Sequence, residues 1–98
     1  MASGAVTIKE TYAGAQTDTI LHAPASSKSM FVWNIVITNT NTGKTTVKFE
    51  TSGDVIGELD GIGSMSANGV NMQGAVDEDI LITCPANTTV ITLTDDLS

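Results

Sequence analysis

From Phe31 to Thr38 the chain reads Phe-Val-Trp-Asn-Ile-Val-Ile-Thr, with every odd position large and apolar. The even positions mix Val32 and Val36 with Asn34 and Thr38. Successive side chains of a strand point to opposite faces, so this run predicts a strand with its odd face in a core and its even face half exposed. Thr46-Val47-Lys48-Phe49-Glu50 repeats the logic, with Val47 and Phe49 inward and Lys48 and Glu50 outward. Between the two runs lies Asn39-Thr40-Asn41-Thr42-Gly43-Lys44. Its Asn and Gly residues tolerate positive φ, so the pair reads as a hairpin.

Further strands are predicted at Ala5–Tyr12, Thr17–His22, Val55–Leu59, Ile80–Cys84 and Thr89–Thr94. Turn chemistry separates most of them, as in Ala13-Gly14-Ala15, Ala23-Pro24-Ala25, Ser52-Gly53-Asp54 and Pro85-Ala86-Asn87. No window sustains helical spacing. Short strands at this interval, mostly with one polar face, predict an all-β, antiparallel two-sheet sandwich of about seven to eight strands, jelly-roll or immunoglobulin-like in style. No linker or repeat interrupts it, so residues 1–98 form a single domain. The expected core is Val6, Ile8, Ile20, Phe31, Trp33, Ile35, Ile37, Val47, Phe49, Ile56, Leu59, Ile80, Ile82, Ile91 and Leu93.

The stretch Gly61–Gly74 breaks the rhythm: it is rich in Gly, Ser and Asn and poor in strand formers. Loops of this length inside a small domain are often functional. Two readings stand side by side, a mobile arm and an edge strand around Ser66 to Met72. On an arm, Met65, Asn68, Val70 and Met72 would be candidate partner-binding residues, because exposed apolar side chains on an adaptable segment suit contact with another surface. Loose packing over a sheet end is the competing role for the two methionines.

Composition narrows the function. Thr, Val and Ile supply 32 of the 98 residues, a β-sheet composition, and only four residues are aromatic. Four Lys, no Arg and eleven Asp or Glu leave a net charge of −7. That balance argues against nucleic-acid binding through a basic surface and against a polybasic membrane patch. The first ten residues carry neither a basic n-region nor an apolar h-region, so no secretory signal is expected. No apolar run approaches the ~18 residues of a membrane helix.

Catalytic chemistry finds little support. His22 is the only histidine and ends a predicted strand, where a rim position is expected. Cys84 is the only cysteine and alternates with Ile80 and Ile82, which places it in the core as a small apolar residue. A lone thiol forms neither an internal disulfide nor a cysteine zinc site. The acidic runs Asp77-Glu78-Asp79 and Asp95-Asp96 lack calcium-loop spacing and read as solvated loop charge, the first also guarding the following strand against edge pairing. Gly57, Gly61 and Gly63 are followed by neither helix nor Lys, so a phosphate loop is excluded. Trp33, on the odd face, is expected in the core rather than as a stacking platform. No enzyme activity, metal or cofactor is expected.

The run Thr19-Ile20-Leu21-His22-Ala23-Pro24-Ala25-Ser26-Ser27-Lys28-Ser29-Met30-Phe31-Val32 is a strand, an A-P-A-x-x-K turn and the start of a long second strand, which closes on Ile35-Val36-Ile37-Thr38-Asn39-Thr40. With the elements that follow, this order resembles small accessory structural proteins of tailed bacteriophages, in particular capsid cement (decoration) proteins, over roughly Thr17 to Thr94. Ser27 stands where that family usually has Gly before the turn Lys. The resemblance carries over no functional residue. It implies a virion protein made in the bacterial cytoplasm that binds the major capsid protein on the outer surface of the shell, as a homo-oligomer with a trimer favoured. A tail-fibre or adhesin-type module binding a glycan is the alternative.

Overall fold

Eight strands carry residues 6–97, the part of the chain that a computed structural model describes. They are β1 (Val6–Tyr12), β2 (Gln16–His22), β3 (Ser29–Asn39), β4 (Lys44–Phe49), β5 (Val55–Asp60), β6 (Gly63–Val76), β7 (Ile80–Cys84) and β8 (Thr88–Leu97). Ala5, the predicted start of the first strand, lies outside the described residues. The strands form two antiparallel four-stranded sheets, ordered β1-β8-β3-β6 and β2-β7-β4-β5. The expected all-β, two-sheet sandwich is therefore the architecture. The seven predicted strands are present, and β6 is the eighth. The stretch read as either an arm or an edge element is the longest strand of the molecule, 14 residues on the edge of the first sheet.

The hairpin expected between β3 and β4 does not form, because the two strands lie in different sheets. Both carry apolar inner faces, and each can bury its face against the other only across the sandwich. The connecting turn docks on the β7–β8 turn instead, with Thr40 N–H donating to the Asn87 carbonyl at 3.4 Å. Among consecutive strands only β4 and β5 pair directly. Their turn is closed by Phe49 N–H on the Asp54 carbonyl and Gly53 N–H on the Phe49 carbonyl, both 3.0 Å.

The core is mostly aliphatic, built on Met30, Val32, Ile35, Ile37, Val47, Ile80, Ile82 and Val90 around the ring of Phe49, with Leu21, Ile56 and Cys84 at its margins. Its phase within β3 differs from the sequence expectation. Val32 pairs with Thr94 of β8, but Asn34 pairs with Leu93, so Trp33 is an extra residue without an opposite number. This β-bulge switches the inward set from even (Met30, Val32) to odd (Ile35, Ile37). Phe31 and Trp33, expected inward, instead face outward, Phe31 half-buried and Trp33 38% exposed. In β8, Thr88, Val90, Thr92 and Thr94 point inward, and the expected core residues Ile91 and Leu93 sit half-buried on the other side. Val6 and Ile20 are likewise exposed, not core. Ile8 and Leu59 are half-buried. Both faces of β3 and β8 carry apolar residues, so alternation alone does not say which face is inner.

One acidic residue read as solvated is structural. Glu78 is only 4% exposed, and its carboxylate accepts backbone N–H groups from Thr51 (2.6 Å), Ser52 (2.8 Å) and Ala75 (2.8 Å). It clips the β4–β5 turn of the second sheet to the end of β6 in the first. Burial pushes its pKa up, but the three backbone donors, with the Thr51 side chain, outweigh burial and hold it below the usual 4.5. β6 runs close over this corner: a Cβ at Gly74 would lie 2.8 Å from the Phe49 ring and 3.0 Å from Glu78 Oε1, so only glycine fits without a shift. The strand that the acidic run was expected to guard, β7, is interior to its sheet and has no free edge.

Candidate functional site

Cross-strand partners share a face, so the registers define the outer surface of each sheet. On the first sheet, β3 presents Phe31, Trp33, Asn34, Val36 and Thr38 outward. Opposite them β8 presents Asp95, Leu93, Ile91 and Thr89. Val36 lies directly across from Ile91, and Leu93 beside Asn34. The Phe31 and Trp33 rings are tilted at 55° with centroids 4.5 Å apart, close enough that each ring covers part of the other. Thr7, Lys9 and Thr11 extend the surface along β1, and Ser64, Ser66 and Asn68 along β6. Among the described residues, Lys9 is the one exposed charge that the register places on this face. Asp95 is buried beside Phe31 at 3% exposure, with Oδ2 lacking a hydrogen-bond partner among the described residues.

The outer surface of the second sheet is built differently. Lys44, Lys48, Glu58, Asp60 and Asp18 decorate it, with ion pairs from Lys44 Nζ to Glu58 Oε2 (3.3 Å) and Lys48 Nζ to Asp18 Oδ1 (3.5 Å). Its apolar residues are Leu81, Ile20 and Val55, of which Leu81 is buried.

The four residues singled out for partner binding lie along β6. Met65, Val70 and Met72 turn inward and pack half-buried against the core, whereas Asn68 is exposed and pairs with Asn34. The apolar members thus pack on the core from the edge strand of the first sheet. The apolar surface that faces solvent is one strand away, on β3 and β8, and the sequence reading missed it by assigning Phe31, Trp33, Ile91 and Leu93 to the core. Its signal was available: β3 holds six large apolar residues between Phe31 and Ile37, more than one face can bury.

The structure does not unite the reactive side chains. His22 pairs with Ile80 at one end of the β2–β7 ladder and Cys84 with Gln16 at the other, roughly 13 Å along the strand. Cys84 is buried, in the core position expected of it. Burial, with the nearby Glu10 and Cys84, pushes the Tyr12 phenol above 10, so it stays protonated. Among the described residues no three His, Cys, Asp or Glu converge as metal ligands, no enclosed cavity is present, and no helix is long and apolar enough to cross a membrane.

The turn that carries the phage resemblance has a definite geometry. Ser27 adopts φ 64°, in the left-handed region that favours glycine. Its N–H donates to Asp77 Oδ1 at 2.7 Å, while Asp77 N–H donates to the Lys28 carbonyl at 2.8 Å. A reciprocal pair of bonds thus holds a conformation that serine enters at a cost. What the molecule offers a partner is a broad, shallow, nearly uncharged sheet face, and no family model and no curated protein matches the chain.

Proposed function

We propose that this protein is a structural binding module, a capsid cement protein of a tailed bacteriophage that lies on the outside of the shell between major capsid subunits. The observation that supports this reading most directly is the outer face of the β1-β8-β3-β6 sheet. Phe31, Trp33, Val36, Ile91 and Leu93 are apolar and on the solvent side, flanked mostly by Thr, Ser and Asn, with Lys9 opposite Ile91 and the buried Asp95 opposite Phe31 as the charged neighbours. Contact between flat surfaces needs such a region, with aromatic anchors at its centre and neutral polar groups around them. Each copy binds modestly, and many copies on one particle together add resistance to disruption. The charge of −7 suits the outside of a shell, because packaged phosphates would repel it inside. Shells lacking the protein should bind it when it is added back, and their thermal disruption should move to higher temperature. No binding, with disruption unchanged, overturns the proposal.

A second reading rests on one observation, the 38% exposure of Trp33 on that same face. An exposed indole beside Phe31 is what a glycan-binding module would present. Trp33 is the only tryptophan, so its fluorescence reports directly on this reading. A saturable shift on titration with host-surface oligosaccharides, absent in Trp33→Ala by an independent binding assay, would favour it over shell binding.

A further inference from the structure

Four strands end the two sheets, and three of them are guarded. β1 carries Lys9 and Glu10, β2 carries Asp18 and two register shifts, and β5 carries Glu58 and Asp60. Charges and bulges of this kind keep foreign strands off an open edge. β6 has 14 residues and not one charge or proline, and its two register shifts both lie beyond Asn68. Over residues 63–68 it pairs with β3 in unbroken register, from Asn39↔Gly63 to Asn34↔Asn68. Among the described residues its backbone makes no backbone hydrogen bond elsewhere in this run. Its outer N–H and C=O groups therefore form an open, regular and uncharged edge.

The sequence of that edge is self-complementary about Ser66. In an antiparallel pair centred there, Met65 meets Ala67 of the other strand, large against small, and Ser64 meets Asn68, hydroxyl against amide. Gly63 meets Gly69 at the two ends of the run. Gly63 (φ 138°) and Gly69 (φ 73°) are both in the left-handed region and bracket the run symmetrically. A two-fold contact requires each residue to suit its mirror position, and this run does so over the five residues 64–68, with a glycine at each end.

We propose that β6 pairs with β6 of a second copy of this chain, antiparallel and centred on Ser66, joining two first sheets into one continuous eight-stranded sheet. The occupant is a second copy because the pairing needs no sequence beyond the chain's own and brings no charges together along the strand. An isologous contact closes at two copies, unlike the trimer that the phage resemblance implies. The pair stands apart from the shell-binding proposal, since it forms with no capsid present.

The test is the mass of the full chain in solution, by light scattering and sedimentation over a concentration series. Twice the chain mass is expected, and added salt should tighten association by screening two chains of charge −7. Ser66 is exposed, so Ser66→Lys keeps the fold while setting two ammonium groups opposite each other. It should weaken the pair by about tenfold or more, with an unchanged circular dichroism spectrum. Ser66→Cys should cross-link across the two-fold on mild oxidation, whereas Ser64→Cys, facing Asn68 of the other copy, should not. A monomer at every concentration, a trimer indifferent to Ser66→Lys, or equal cross-linking at positions 64 and 66 would each overturn the proposal.

Discussion

The outer surfaces of the two sheets differ more than their shared architecture suggests. The second sheet is an ordinary soluble surface, on which Lys44, Lys48, Glu58, Asp60 and Asp18 cross-pair. Its one buried outward residue, Leu81, sits between Lys48 of β4 and Ile20 of β2 in the ladder. The first sheet leaves Trp33 exposed and Phe31, Val36, Ile91 and Leu93 half-covered, among side chains that are neutral apart from Lys9 and the buried Asp95. One chain thus builds a face that repels casual contact and a face that invites it. The distinction rests on one backbone feature: the bulge at Trp33 keeps the ring out of the core and places it beside Phe31 on the open side.

The sharpest way to break this contrast is to charge each face in turn. Trp33→Asp combined with Ile91→Asp should reduce occupancy on shells by about a hundredfold, as loss of central apolar anchors does. Lys48→Glu on the second sheet should change it no more than about threefold, the range of rim charges. Equal losses from both faces would remove the asymmetry.

The Glu78 clip, which ties the sheets together at one corner, is the next largest effect. Because its folded pKa lies below the unfolded 4.5, its stabilisation is present above pH 4.5 and is lost as pH falls through the folded value. Glu78→Gln should cost about 2 kcal/mol at pH 7, as charge-assisted bonds weaken. The gap between the two proteins should narrow steadily in denaturation curves taken below pH 4.5. A gap that persists unchanged into acid would show that the carboxylate charge is not what holds the corner.

Between the sheets, Thr92 is 1% exposed and its hydroxyl has no hydrogen-bond partner among the described residues. Thr92→Val keeps the shape and removes the unpaired group, so urea denaturation should show a gain of about 1 kcal/mol. The smallest effect belongs to the second sheet's surface: removing the exposed Lys44–Glu58 pair by Lys44→Ala should shift stability by less than about 0.5 kcal/mol. A larger loss would mean that those ion pairs contribute to holding the sheet, not only to its solubility.

Particular residues show how much could be read along the chain. Alternation in Thr46–Glu50 placed Val47 and Phe49 inward and Lys48 outward, and each lies there, because that strand has one apolar and one polar face. Cys84 was legible for the same reason. β3 and β8 were not: each has two partly apolar faces, so the apolar residues of Phe31–Ile37 and Val90–Leu93 could satisfy either assignment. β6 was half legible, since its lack of strand formers pointed to a loop, and an edge strand was expected only around Ser66 to Met72, half the length it has. The role of Glu78 could not be seen locally, because two of its three donors lie 26 and 27 residues away.

By itself the order of residues determined that this chain is built of short strands, that it is acidic, and that its interior is aliphatic, since these follow from local alternation, turn chemistry and composition. Only the tertiary structure decided which strands are neighbours, which side of the central strands faces water and which edge stays open. Those depend on pairing between residues far apart in the chain, where a shift of one position at Trp33 exchanges the inner and outer faces of everything beyond it.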